Sequence, residues 1–206
     1  CWSLASIKLP ESVTYIGSRA FGICNHLKEI SFPESLPEFS EGIIECYEKD
    51  SFIFTPWYEE YLENNRFVIW NGVVLDGKPV NGVLEIPDTA TGIAERAFAF
   101  SDKELTSVII PDGVTVIGED AFGECRNLET ATILDPECDI FMDQYTITAN
   151  VIRGYKGSTA EKYAETYGYK FEAIDEENAY TSPVENTSKE SLSDCMKGDA
   201  TGDGIV

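Results

Sequence analysis

The chain has 206 residues, 43% hydrophobic and 25% charged, the composition of a globular protein able to bury a sizeable core. Its 37 acidic against 15 basic residues give a net charge of -22, which repels phosphate backbones and anionic bilayers and so argues against nucleic acid or a membrane surface as partner. No apolar run approaches the roughly 20 residues that cross a bilayer, so no membrane insertion is expected.

In chain order, the first feature is a repeat. CWSLASIKLPESVTYIGSRAFGI is followed by CNHLKEISFPESLPEF, and Cys1/Cys24, Leu4/Leu27, Ile7/Ile30, Leu9/Phe32 and Pro10/Pro33 each lie 23 residues apart. The pattern returns as VLEIPDTATGIAERAFAF, as ELTSVIIPDGVTVIGEDAFGE and as CRNLETATIL. Leu105/Leu128 and Ile110/Ile133 again differ by 23, and Pro87/Pro111 and Phe98/Phe122 by 24. Within a unit, Ile7 and Leu9 alternate with Ser6 and Lys8, the signature of a short strand with one buried face. Pro10 removes a ladder donor and ends the strand. Gly17 permits a turn, and Ala20 with Phe21 return a small and a large apolar group to the core. One such coil buries too little to offset the entropy of ordering it, so neighbouring coils must cover its open sides.

The unit Cys-x-x-Leu-x-x-Ile-x-Ile-Pro-x-x-Val-x-x-Ile-Gly-x-x-Ala-Phe resembles the BspA-type leucine-rich repeat of bacterial surface proteins, over residues 1 to about 174. The resemblance implies an α/β repeat: a right-handed leucine-rich-repeat solenoid with a narrow sheet on one face and irregular coils elsewhere. Lys8, Ser31, Glu85, Ile109 and Thr132 are then expected to point outward from successive strands, as candidate contacts for a partner. Because Cys1 already lies in the repeat phase, the sequence reads as a segment of a longer protein, and a missing leader carries no information.

The second coil departs from the pattern after Phe39. Ser51-Phe52 stands where Ala20-Phe21 would recur, about eight residues late, with the extra chain around SEGIIECYEKD. TPWYEEYLENN then reads as a helix: Thr55 can cap it, Pro56 suits its first position, and Trp57, Tyr61 and Leu62 form an apolar stripe. FVIW-NG-VVLD follows, a hairpin turning at Asn71-Gly72. This helix-hairpin insert also resembles inserts of the same family. Near the far end, Ser158 and Glu161 form a capping box, Ala160, Tyr163, Ala164 and Tyr167 share one helical face, and Gly168 ends the helix. That segment resembles the family's C-terminal cap, which hides the open end of the last coil.

Residues 175–197, DEENAYTSPVENTSKESLSDCMK, are acidic and rich in Ser and Thr and read as a flexible linker. In GDATGDGIV, residues 198–206, Asp199, Thr201 and Asp203 alternate before Gly204, with the Ile205 carbonyl next. This matches the first half of an EF-hand-type calcium loop. Its order after a linker resembles the start of a type I dockerin, although Thr201 stands where that family has Asn. Positions 9 and 12 of the loop are not among these residues, so calcium is expected to bind weakly or not at all here and only with a complete dockerin. The alternative is a merely Gly-rich acidic tail.

The other reactive residues read blandly. His26, the one histidine, lies in a turn before a strand, and no Ser, Cys or Asp is placed to work with it. Carboxylates are abundant but unpaired by any motif, so the chain is expected not to be an enzyme. Of the six cysteines, Cys1, Cys24 and Cys125 share a repeat phase, as buried small apolar groups would; disulfides stay open as an alternative. A lipid anchor on Cys1 conflicts with that phase. Trp57, Tyr58, Tyr61 and Trp70 read as the core of the helix-hairpin segment, against a sugar-binding platform. Asn186-Thr187-Ser188 fits a glycosylation sequon, which carries little weight beside a bacterial resemblance. Together the resemblances imply a non-catalytic extracellular binding or spacer module, held by its dockerin to a cohesin of a cellulosome scaffoldin, with an unknown protein or glycan on the repeat surface. The alternatives are an accessory region of a larger secreted plant-wall hydrolase or peptidase, and a surface adhesin.

Overall fold

A computed structural model describes residues 2–14, 16, 20–21, 24–33, 55–78, 81–99 and 105–174. The added residues of the second coil, the segment 175–197 and the half-loop 198–206 lie outside the described residues.

Successive repeats place one strand each into a parallel ladder. Strands β1 (Ser6–Lys8) and β2 (Glu29–Ser31) pair with Ile7 opposite Ile30, the offset of 23 seen in the sequence. Farther on, β5 (Gly82–Glu85), β7 (Leu105–Ile110), β9 (Thr130–Ile133), β11 (Val151–Gly154) and β12 (Lys170–Ala173) form a five-stranded sheet, parallel throughout. The alternation within each strand decides its faces. Leu84, Val108, Ala131 and Ile152 turn into the core, as do Ile110 and Ile133, and all are essentially inaccessible to solvent. The repeated proline has two effects: it ends the strand, and its carbonyl starts the next turn. The Pro10, Pro87 and Pro111 carbonyls accept from Val13, Ala90 and Val114 at 3.0, 2.9 and 3.1 Å.

The expectation of irregular coil opposite the ladder is corrected by a second five-stranded sheet. It runs β3 (Phe67–Trp70), β4 (Val73–Gly77), β6 (Gly92–Ile93), β8 (Val116–Ile117) and β10 (Asp139–Ile140). Val74, Ile93, Ile117 and Ile140 stack in register, parallel from β4 onward. Its repeat strands are only two residues long, too short for alternation to show in a sequence. A ladder continues beside them, with Thr91, Thr115 and Asp139 N–H donating to the carbonyls of Gly72, Thr91 and Thr115. The hairpin expected at Asn71-Gly72 is present, antiparallel, with both residues at positive φ (47° and 83°). A two-residue turn of that hand suits the twist of the strands it joins.

Glycine recurs at the phase of Gly17. Gly17 itself lies outside the described residues, but Gly118 occupies that phase. A Cβ there would stand 2.5 Å from the Glu95 backbone nitrogen, so Gly118 allows two coils to approach closely. The small residue before the repeated phenylalanine is buried at Ala97 and Ala121 but exposed at Ala20. Between coils Phe98 stacks on Phe122, centroids 5.1 Å apart and planes at 7°.

Helix α1 (Pro56–Asn64) starts as the sequence indicates: the Thr55 hydroxyl accepts from Tyr58 N–H at 3.2 Å, and Pro56 opens the first turn. Trp57 N–H donates to the Leu27 carbonyl at 3.0 Å, which ties the helix to the second coil. Helix α2 (Thr159–Tyr167) buries Ala160, Tyr163 and Ala164 and ends at Gly168. Its capping differs in detail from a reciprocal box. The Ser158 hydroxyl accepts from Glu161 N–H at 3.2 Å, but the Glu161 carboxylate takes Gly157 N–H, one residue ahead of the cap. Tyr163 is the anchor of α2: its hydroxyl donates to the Asp143 carbonyl at 2.8 Å and accepts from Ile147 N–H at 3.0 Å. Burial pushes its hydroxyl well above the usual tyrosine range.

Candidate functional site

The register of the C-terminal sheet lays out its outer face as two rows. Residues facing away from the core alternate with the buried ones along each strand. One row runs Val83, Ser107, Thr130, Val151, Lys170; the other runs Glu85, Ile109, Thr132, Arg153, Glu172. Glu85 and Ile109 are half-buried there. Thr132, also on this face, is only 5% exposed, because Ile109 and Arg153 flank it in register and it lies in a groove. That groove, of about 230 Å³, is lined by Val83, Ser107, Ile109, Thr130, Thr132, Arg153 and Ile174. Val83 is half-exposed at its rim, whereas Ile174, just after β12, is buried.

Lys8 and Ser31 are exposed, but they stand on the separate β1–β2 pair. The five candidate contacts therefore do not form one continuous row of strands. The cause is the chain between β2 and β5: it includes α1 and the β3–β4 hairpin, and the hairpin joins the other sheet. Arg153, Ile174 and Val83 were missed by sequence reasoning. The signal for Arg153 was the strand-like VIRG, but it falls 21 residues after Thr132 instead of 23, so the period slips there.

Four of the ten residues in these rows are charged: Glu85, Arg153, Lys170 and Glu172. Lys170 Nζ lies 2.6 Å from Glu172 Oε1, and Arg153 Nε is 3.9 Å from Glu172 Oε2, an ion pair beyond hydrogen-bond reach. The Lys170 ammonium holds the Glu172 carboxyl below its usual range, with Arg153 adding to the effect. Arg153 Nε is buried and makes no hydrogen bond.

The residues weighed for chemistry fall elsewhere. His26 is exposed in its turn. Cys24, Cys125 and Cys138 are buried, and Cys125 Sγ lies 3.3 Å from the Phe98 carbonyl. Burial, with Asp135 and Asp139 adding, pushes the Cys138 thiol up to about 12. Trp57, Tyr58, Tyr61 and Trp70 pack inward: Phe32 meets Trp70 edge-on at 5.1 Å and Trp57 at 5.6 Å, and Trp57 meets Tyr61 at 5.7 Å. The Tyr58 hydroxyl donates to Asp76 at 2.8 Å. Among the described residues no cluster of three or more His, Cys, Asp or Glu could hold a metal ion, and no helix is long and apolar enough to cross a membrane. Asp199, Thr201, Asp203 and Ile205, the calcium ligands expected from the sequence, lie outside the described residues.

The repeat period, the parallel ladder and the stacked core agree with one family. The family model for the BspA type leucine rich repeat region matches residues 1–68 and 82–148, in six copies. The chain belongs to that family. The stretch between the two matched segments holds the hairpin turn and β4. BspA-type repeats form protein-interaction modules. No curated protein and no solved structure matches the chain significantly.

Proposed function

We propose that this BspA-type region is a non-catalytic, extracellular binding module whose partner docks on the outer face of the C-terminal sheet. The observation that carries it is that face itself: β-branched and hydroxyl side chains with charged ones beside them, held from behind by an inaccessible core, with a groove among them. A rigid platform loses little entropy when a partner binds. In this reading residues 1–174 form a right-handed solenoid, α1 and the hairpin are an insert in it, and α2 with β12 caps its end. Residues 175–197 are then a linker, and residues 198–206 begin a dockerin loop.

Through that loop the module joins a cohesin of a cellulosome scaffoldin. Asp199, Thr201, Asp203 and the Ile205 carbonyl supply half of the calcium shell, and calcium takes six to eight oxygens with a bidentate acid at position 12. The 206-residue chain is expected to bind calcium weakly and no cohesin. A version extended past Val206 with the remaining ligands and a second loop gains both, and Asp199→Ala with Asp203→Ala in that version abolishes both. Titration calorimetry on the two lengths decides it. Tight calcium binding by the short chain, or neither activity in the extended one, removes the scaffold attachment and leaves the repeat module alone.

A further inference from the structure

The groove on the C-terminal sheet has a definite chemistry. Val83, Ile109 and Ile174 give it apolar walls, Thr130 and Thr132 add methyls and hydroxyls, and Arg153 is its one charged lining residue. The state of Arg153 is unusual. Its Nε is buried with no hydrogen bond, although the side chain as a whole is 37% exposed, and Glu172, paired with it at 3.9 Å, is also held by Lys170 at 2.6 Å. With Nε shut off from solvent, a ligand meets the guanidinium at its two terminal nitrogens, whose fork matches a carboxylate in two parallel hydrogen bonds. The net charge of -22 repels anions at long range, but salt screens that repulsion beyond about 8 Å, so contacts inside the groove decide what stays.

We propose that the groove takes an extended acidic peptide segment of a partner protein, with an aliphatic side chain against Val83 and Ile109 and a carboxylate on the Arg153 guanidinium. The inference rests on the reading of the outer face as a docking surface and names the chemistry of what docks. An acidic oligosaccharide would bring the same carboxylate. No aromatic ring lines the groove to stack on a sugar, however, and the apolar walls would go unused.

The test uses the 206-residue chain and three probes: the peptide acetyl-Val-Thr-Glu-Val-Thr-amide, its Gln counterpart, and trigalacturonate. Binding is followed by NMR on the methyls of Val83, Ile109 and Ile174 and on the Arg153 Nε–H. The Glu peptide is expected to move these signals and to bind about tenfold more tightly than the Gln peptide, since a charge-assisted hydrogen bond is worth roughly twice a neutral one. Arg153→Gln should bring the two peptides level while leaving the core methyls of Val108 and Ile133 in place, which shows that the variant is folded. Equal affinity of the two peptides at these methyls overturns the carboxylate inference and leaves the docking face standing. Outer-face methyls unmoved by any probe overturn both. Trigalacturonate binding more tightly than the Glu peptide assigns the groove to an acidic glycan and overturns the peptide.

Discussion

The β1–β2 pair and the C-terminal sheet are written in the same repeat, yet they bury it differently. Leu4 and Ile7 of the first coil are half-exposed, whereas Leu27 and Ile30 of the second, at the same phases, are already buried, and Leu105 and Val108 are 2% and 0% exposed. Phe32 is only partly buried, whereas Ile110 and Ile133, its counterparts, are inaccessible. The difference teaches that the period sets which way a side chain points, and the neighbouring coils set how much water it loses. In the C-terminal sheet β7, β9 and β11 each have a strand on both sides; among the described residues β1 and β2 pair with each other alone.

The largest effect expected from this contrast is on stability. Ile110→Ala removes a side chain from the centre of the stack and should cost about 2–5 kcal/mol in urea unfolding. Ile7→Ala, at a half-exposed site, should cost about 1 kcal/mol or less. Equal costs would break the comparison.

Next comes the end of the sheet, where the Tyr163 hydroxyl ties the buried face of α2 to residues 143 and 147. Tyr163→Phe keeps the ring but leaves the Asp143 carbonyl and the Ile147 N–H unpaired. A loss of about 1–3 kcal/mol is expected, measured by the same unfolding curve. No loss would mean that the hydroxyl adds nothing to the packing of the ring.

A smaller effect concerns pH. The Cys138 thiol, held near 12 against an ordinary value of about 8.5, favours its protonated form in the folded chain. Its contribution to stability is full below the ordinary value and is lost as the pH rises toward about 12. The fall in stability between pH 8 and 11 should therefore be shallower in Cys138→Ala than in the parent, and a thiol reagent at pH 8 should label Cys138 only after unfolding. Identical pH profiles, or fast labelling of the folded chain, would contradict the burial of that coil.

Much of this was legible in the sequence, for physical reasons. The 23-residue phase places Ile7 opposite Ile30 and Ile109 opposite Thr132, because a parallel ladder forces equal phases into register. Thr55 and Pro56, Asn71-Gly72, and Ser158 with Gly168 act through local backbone geometry, which a few neighbouring residues determine. The second sheet was not legible, because Gly92–Ile93, Val116–Ile117 and Asp139–Ile140 are too short to show a period. The candidate face was read in part. Glu85, Ile109 and Thr132 share one row, but Lys8 and Ser31 sit on another sheet, since which strands pair across an intervening hairpin is a tertiary matter. Arg153 escaped because β11 follows β9 at 21 residues and β12 follows β11 at 19, where the period shortens toward α2.

The central claim is that the C-terminal sheet buries its strands more deeply than the β1–β2 pair does, and so opens less readily. Native-state amide hydrogen exchange tests it strand by strand. The amides of Val108, Ala131 and Ile152 should exchange slowest, near the rate of global unfolding, and those of Ile7 and Ile30 markedly faster. Equal protection in the two regions would contradict the account.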